Sequence, residues 1–326
     1  MGLDVQVIRN RPGERHAARG CRSVVTIGNF DGIHLGHQAL IRRGRELVTD
    51  SESLAVVTFE PLPQVLFQPQ AAPPRLSTVY QKLQQFQAHD VDLVWLLRFD
   101  LAFSQLTARE FATQVLAMGL AATHVVIGAD FRFGHRREGD AELLCRLGTE
   151  LGFDVDIVPA VYLGQDRISS SVIRAALAAG ELAGAAAMLG RPFRMEGHVV
   201  PGRRLGRQLG YPTANLHIRA RPSAVGGVFA VFARACGRRG LGQGDESWMP
   251  AVSSIGLRPT IGGTEPLLEV HIFDFDGDLY GQRLEVEFVA KLRDEAHFAS
   301  MEELVAQMRR DDTQARTILA RSEQPA

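Results

Sequence analysis

The chain has 326 residues, 45% hydrophobic and 22% charged, a balance that suits a globular protein with room for two domains of about 100–200 residues each. Its 36 basic and 37 acidic residues leave a net charge of −1, which excludes a general polyanion-binding field and nucleic acid as the main partner. Cys21, Cys145 and Cys236 are scattered without a CxxC pair, which excludes a disulfide framework and a zinc site. No apolar run reaches the roughly 18 residues of a membrane span, and MGLDVQVIRNRPGERHAARG turns polar too early for a secretory signal. A cytoplasmic protein with no membrane partner is the expectation.

From Ser23 to about Pro159, β-rich runs (SVVTIG, LAVVTFE, DLVWLLRFD, THVVIGADF, DVDIVPAVYL) alternate with helical patterns (HQALIRRGRELV, VYQKLQQFQAHD, TAREFATQVLAMGL, AELLCRLGTELG). Strand alternating with helix predicts a parallel sheet covered on both faces. In TAREFATQVLAMG, Thr107 can cap the helix, Glu110 completes a capping box, and Gly119 is expected after the last turn. SSSVIRAALAAGELAGAAAMLGR then reads as two helices, broken at Gly180 and ended at Gly190.

After that the pattern becomes β. RMEGHVVPG, GVFAVFARACG, SWMPAVSSIG, LLEVHIFDF and QRLEVEFVAKL are separated by Gly, Pro and Asp turns, as in a small antiparallel barrel or sandwich. GRRGLGQGDES reads as a flexible hairpin loop, and SMEELVAQMRRDDTQARTILARS as one or two closing helices. The boundary is expected near 183–190, dividing the chain into domains 1–185 and 186–326.

GNFDGIHLGHQALI, residues 28–41, places His34, Gly36 and His37 where a strand gives way to a helix. A helix N-terminus there is a natural phosphate seat, through its free N–H groups and the positive end of its dipole. Alone, the two histidines read more readily as surface or capping residues than as a phosphate site. RISSSVIR, residues 167–174, offers a hydroxyl cluster and Arg174 at a helix start, either a second anion cradle or plain N-capping. Between them, GADFRFGHRREGD carries Asp130, Phe131, Phe133 and Arg136, residues that could hold a flat ring or simply form a loop. A P-loop GxxxxGK[ST] and a dinucleotide GxGxxG are both missing at the first helix.

Taken in order, GNFDGIHLGH, TFEP, GADFRFGHRREGD and ISSSVIR resemble the HxGH nucleotidyltransferase module of the bifunctional prokaryotic riboflavin kinase/FAD synthetases, over about residues 20–182. The resemblance implies a Rossmann-like domain that joins FMN to the AMP part of ATP and releases pyrophosphate. It implies that His34 and His37 hold the triphosphate and stabilise charge at the α-phosphorus, with Gly28 and Gly36 allowing close approach. Asn29 and Asp31 would shape the loop, Ser170, Ser171 and Arg174 would clamp the pyrophosphate side, and Asp130 and Phe131 would face the flavin. Leu62 stands where the family often has histidine, and Val172 where it often has arginine.

GRRLGRQLGYPTANL, residues 202–216, reads on its own as a hairpin connection with a Pro-Thr-Ala-Asn turn, and Glu269 in LEVHIFDFDGDLYG as an ordinary strand residue. Both stretches resemble the riboflavin kinase signatures of the same family, over about residues 186–318, and SSIGLRPTIGG matches another block with Arg258 where some members have asparagine. The resemblance implies that Thr213 and Asn215 bind Mg²⁺ and nucleotide phosphate through oxygen, that Gly202 and Gly206 form a phosphate-binding flap, and that Glu269 is the base for the riboflavin hydroxyl. It also implies an antiparallel β-barrel kinase domain with a C-terminal helix. ATP is then the co-substrate, riboflavin and FMN the small-molecule partners, and FMN and FAD the products. No protein partner is specified, and weak self-association is left open. A chain with one decayed module, or a flavin sensor without turnover, would lack part of this residue set.

Overall fold

A computed structural model describes residues 5–9, 12, 22–202, 210–218, 223–236, 247–260 and 263–325, with the side chains of 257–260 and 263–266 excepted. The chain forms two compact units, Met1–Pro73 with Val79–Ser170, and Pro74–Thr78 with Ser171–Ala326. Gly206, Cys21 and most of the glycine-rich loop at 237–247 lie outside the described residues.

In the first unit, β1 (Gln6–Ile8), β2 (Arg22–Ile27), β3 (Glu52–Glu60), β4 (Leu93–Arg98), β5 (Ala122–Gly128) and β6 (Asp154–Val158) form one parallel sheet in the order β1-β4-β3-β2-β5-β6. Alternation within each strand feeds two cores. Val25, Ile27, Ala55, Val57, Trp95, Leu97, Val125 and Ile127 pack on one face, and Val24, Leu54, Val56, Val94 and Val126 on the other. That is why these strands read as continuous apolar runs rather than as half-polar ones. The second face is covered by α1 (Leu35–Leu47) and α3 (Val79–Ala88), through Leu40, Ile41, Leu83 and Phe86; short α2 (Pro63–Phe67) and α4 (Leu101–Ser104) follow β3 and β4.

The first face is covered by a helical stretch made of α5 (Ala108–Phe111), a π-helical turn (Ala112–Ala117) and α6 (Met118–Leu120), and by α7 (Ala141–Leu151). The expected capping box of Thr107 and Glu110 opens it. Gly119 does not end it: the left-handed cap is Ala121, with φ of 46°. Gly119 lies within the helix, where a Cβ would meet Trp95 Cζ3 at 2.6 Å, so the glycine serves close packing on the sheet. A two-strand hairpin, β7 (Tyr162–Leu163) with β8 (Asp166–Arg167), precedes the unit's last residue, Ser170.

The strand order fixes where a ligand can sit. The chain winds outward from β2 through β3 and β4, then returns to the other side of β2 to lay down β5 and β6. The carboxyl ends of β2 and β5 therefore flank the switch point, the crevice where such sheets bind ligands. GNFDGIH follows β2, and GADFRFG follows β5.

In the second unit, α8 (Ser170–Ala179) and α9 (Leu182–Leu189) turn at Gly180 and close on left-handed Gly190, as the sequence predicts. Residues 185 and 186 both lie within α9. The β-rich remainder closes into a six-stranded antiparallel barrel rather than a sandwich, in the order β10-β13-β12-β11-β14-β9. Its strands are β9 (Arg194–Val200), β10 (Ala214–His217), β11 (Gly227–Cys236), β12 (Met249–Thr260), β13 (Gly263–Ile272) and β14 (Arg283–Arg293). Phe229, Val231, Ala251, Leu268, Val270, Leu284 and Val286 are its buried positions. The C-terminal segment is one helix, α10 (Met301–Leu319), capped by Ser300. Its Ala315 and Leu319 pack on Ala230, Phe232, Trp248 and Phe273. Asp311 on α10, 4% exposed, accepts from Arg293 Nε at 3.0 Å and Nη2 at 2.8 Å, and from Gln307 at 2.8 Å.

Candidate active sites

The loop between β2 and α1 is built against backbone preference. Phe30 and Ile33, both fully buried, have φ of 46° and 38°, and Gly32 between them has φ of 84°. Bulky residues adopt this region only when their surroundings impose it, and such positions gather at functional sites. The loop ends on His34, the N-cap of α1, whose Nδ1 accepts from the His37 N–H at 3.4 Å. A neutral His34 that accepts at Nδ1 carries its proton on Nε2. The rings of His34 and His37 stack with centroids 3.7 Å apart.

His37 Nδ1 is buried and has no hydrogen-bond partner among the described residues. Burial pushes the His37 imidazole well below its ordinary value, and nearby His34 and Lys82 repel a proton further. The ring is therefore neutral at pH 7. Gly36 sits so that a Cβ would lie 3.1 Å from the His34 ring, and Gly28 so that one would lie 3.2 Å from Phe30. Asp31 is 2% exposed, and its carbonyl accepts from Ser170 Oγ at 3.0 Å. The structure thus gathers Asp31, His34, Gly36 and His37 on one loop and helix start, with Asn29 at the loop's beginning and Ser170, the first residue of α8, hydrogen-bonded to the loop.

After β5, Phe131 lies over Phe133, with rings 5.5 Å apart and 14° from parallel, and Asp130 pairs with Arg167 at 2.6 Å. Gly134, with φ of 77°, packs so closely on Ala108 that a Cβ would meet its Cα at 2.7 Å. The segment is a fixed platform at the sheet's carboxyl edge. A ladder of ring contacts continues from Phe133 through Phe111, Phe103, Phe59 and Phe99 to Phe67, which is 60% exposed. Leu62 is 1% exposed and is the N-cap residue of α2, without a side-chain capping bond. In the second unit, Arg174 on α8 donates Nε to the Pro74 carbonyl at 2.6 Å, and Ser171 and Val172 are exposed.

The barrel carries the second site. PTAN is only half a turn: Pro212 and Thr213 lead in, and Ala214 and Asn215 already belong to β10. Asn215 is the register partner of Glu269 on β13, and Glu269 is in turn the partner of Ser254 on β12. Directly opposed residues of antiparallel strands leave the same face, so Ser254, Glu269 and Asn215 form one polar row across three strands.

Asn215 is 6% exposed, and its Nδ2 donates to the Thr213 carbonyl at 3.4 Å. Its Oδ1 is buried and has no hydrogen-bond partner among the described residues. Gly202 lies directly over this amide, where a Cβ would stand 2.6 Å from Asn215 Cγ. A cavity of about 420 Å³ opens here, lined by Gly202, Thr213, Asn215, Phe275, Asp278 and Tyr280 among others, and Glu269 stands outside that lining. A buried carboxamide oxygen and a hydroxyl two residues apart are hard oxygen donors that suit Mg²⁺. Arg258 belongs to β12, and its side chain lies outside the description.

One polar residue escapes a sequence reading, Lys82 on α3, which meets Thr58 of TFEP near the end of β3. Lys82 Nζ donates to the Asn29 carbonyl at 2.8 Å and lies 3.3 Å from Thr58 Oγ1. The signal is present in the helix itself: 79, 82, 83 and 86 form the apolar stripe of α3, and the residue at 82 is a lysine.

Comparison with known proteins finds relatives for both halves of the chain. The FAD synthetase family model matches residues 16–172, and the riboflavin kinase model residues 189–319. The bifunctional riboflavin kinase/FMN adenylyltransferase of Escherichia coli (strain K12) is 43% identical over 303 residues, 91% of this chain and 92% of that protein. The Pseudomonas fluorescens protein of the same name is 42% identical over 320 residues, 98% of this chain and 99% of that protein. A crystal structure from Streptococcus pneumoniae, described as a macrolide-efflux protein, matches with a TM-score of 0.81 and 31% identity, over 96% of this chain and 99% of that one. Among the described residues, no helix here is long and apolar enough to cross a membrane. The chain belongs to the family of bifunctional riboflavin kinase/FMN adenylyltransferases, with its FAD synthetase domain first and its riboflavin kinase domain second.

Proposed function

We propose that the chain converts riboflavin to FMN at the Asn215–Glu269 row of the barrel and FMN to FAD at the His34–His37 helix start, using ATP in each step. The observation that carries the reading is a pair of buried polar atoms, His37 Nδ1 in the first unit and Asn215 Oδ1 in the second, neither with a partner among the described residues. Buried polar groups are normally satisfied, and an exception calls for an explanation such as a ligand.

In the kinase step, the ribityl hydroxyl oxygen bonds to the γ-phosphorus of ATP while the bond to ADP breaks. Glu269 takes the hydroxyl proton. Gly202 brings its backbone against Asn215, as a phosphate-covering flap requires. Asn215 Oδ1 and the Thr213 hydroxyl are the groups that would hold Mg²⁺, which neutralises phosphate charge when bound.

In the adenylyl step, an FMN phosphate oxygen attacks the α-phosphorus and pyrophosphate leaves. The His34 and His37 rings and the N–H groups opening α1 stabilise the charge that gathers there. Ser170, Ser171 and Arg174 serve the pyrophosphate side, and Asp130 and Phe131 the flavin, on a platform that the Phe ladder extends. Asn29, Asp31, Gly28 and Gly36 set the loop, and Gly206 joins Gly202 in the flap. The division of labour follows 1–185 and 186–326, and the cytoplasm is the compartment. Incubation with riboflavin, ATP and Mg²⁺, followed by separation of the flavins, tests the reading. FAD supports it, FMN alone removes the first site, unchanged riboflavin removes the second, and a parallel incubation with FMN and ATP then decides the first.

A further inference from the structure

We infer that Lys82 is a positioning residue of the adenylyl-transfer site, a buried fixed cation that ties the Asn29 peptide to α3 and lends positive potential to the N-terminus of α1. The inference rests on reading that N-terminus as the triphosphate seat. Lys82 is 1% exposed and sits on the apolar stripe of α3 beside Leu83 and Phe86. Removing an ammonium from water is costly, and a methionine would fill the same length of stem. The Asn29 carbonyl does not need the lysine for satisfaction, because Thr58 Oγ1 also donates to it, at 3.1 Å. What Lys82 alone brings is a second anchor and a charge.

Both act at the same place. Asn29 immediately precedes left-handed Phe30, and four residues later the loop delivers His34 to the helix N-cap. A pin on the Asn29 peptide therefore holds the entrance of the strained turn that aims the two histidines. The charge adds to the positive end of the helix dipole, where a triphosphate places several negative charges. It is close enough to His37 to help keep that ring unprotonated, alongside burial and the stacked His34.

The test uses the whole chain as Lys82→Met and Lys82→Arg. Lys82→Met should phosphorylate riboflavin at the parental rate and melt within a few degrees of the parent. Its kcat for FAD formation from FMN should fall about ten- to a hundredfold, the scale of a loss of alignment at a reacting centre. Lys82→Arg, which keeps the charge, should retain most of the rate. Imidazole NMR supplies a readout that packing alone would not move: the His37 protonation midpoint should rise in Lys82→Met and stay low in Lys82→Arg. FAD formation at the parental rate in Lys82→Met overturns the inference, as does an equal loss in both variants or an unmoved His37 midpoint. Melting of Lys82→Met below the assay temperature also overturns it, since stability would then be what the lysine supplies. A parent that makes no FAD would instead sink the reading of the site itself.

Discussion

Asn215 and Glu269 face each other across β10 and β13 as register partners, so a buried amide oxygen and a carboxylate leave the same face of the barrel. Gly202 lies against the amide, and no side chain fits between them. Gly202→Ala should push Asn215 out of place and lower FMN formation by up to about a hundredfold, as misplacements of roughly 1 Å do. FAD formation from supplied FMN should stay at the parental level. Steady-state rates for the two half-reactions check this, and an unimpaired kinase would remove Asn215 from the site.

The adenylyl step depends on the histidine pair. His37→Ala removes one stacked ring and its charge-stabilising contact, and the loss of such a donor typically costs about 10²–10³ in rate. FMN should then accumulate from riboflavin while its own rate of formation is unchanged. Chromatography of the flavins over time reads both rates, and parental FAD formation would refute the role of His37.

His37 also makes stability depend on pH. Its folded value lies well below the unfolded value of about 6.5, because burial, His34 and Lys82 all disfavour the imidazolium. As pH falls through 6.5 the unfolded chain takes up this proton first, so stability is lost on the acid side and not gained. Between pH 7.5 and 5.5 the parent should lose more in melting temperature than His37→Gln does. Parallel losses in the two proteins would mean that His37 is not buried neutral.

The closing helix is held by charge as well as by packing. Asp311 accepts two bonds from Arg293 of β14, whose side chain is 23% exposed. Removing one partner of a buried pair costs roughly 3–5 kcal/mol, and the residual exposure of Arg293 puts Asp311→Ala at the low end, about 3 kcal/mol. Denaturant titration measures the cost, and a change below about 0.5 kcal/mol would show that α10 is held by its apolar face alone.

Strands and helices whose pattern is local were legible in the sequence. The four central strands of the sheet, β4, β3, β2 and β5, announce themselves because both their faces are buried, and Thr107 with Glu110 marks a helix start over four residues. Gln6–Ile8 is a three-residue edge strand in a polar setting, and β10 begins inside a tetrapeptide that reads as a turn, so neither carries a period long enough to see. The same holds at the sites. His34-x-Gly36-His37 lies within one turn of helix, whereas Lys82 meets Asn29 from 53 positions away, and a lysine in an amphipathic helix reads as its solvent face. The ring ladder from Phe67 to Phe131 is assembled from a strand, three helices and two loops, and only the fold brings it together.

The assignment of two steps to two separate residue sets is tested most directly by Glu269→Gln, which keeps size and hydrogen bonding but cannot take the proton. A positioned general base contributes about 10²–10⁴ in rate, so FMN formation from riboflavin and ATP should fall by that order. The same preparation, given FMN and ATP, should make FAD at the parental rate, because the His34–His37 site does not use this carboxylate. Riboflavin phosphorylation at the parental rate in Glu269→Gln would contradict the assignment and leave Glu269 as an ordinary residue of β13.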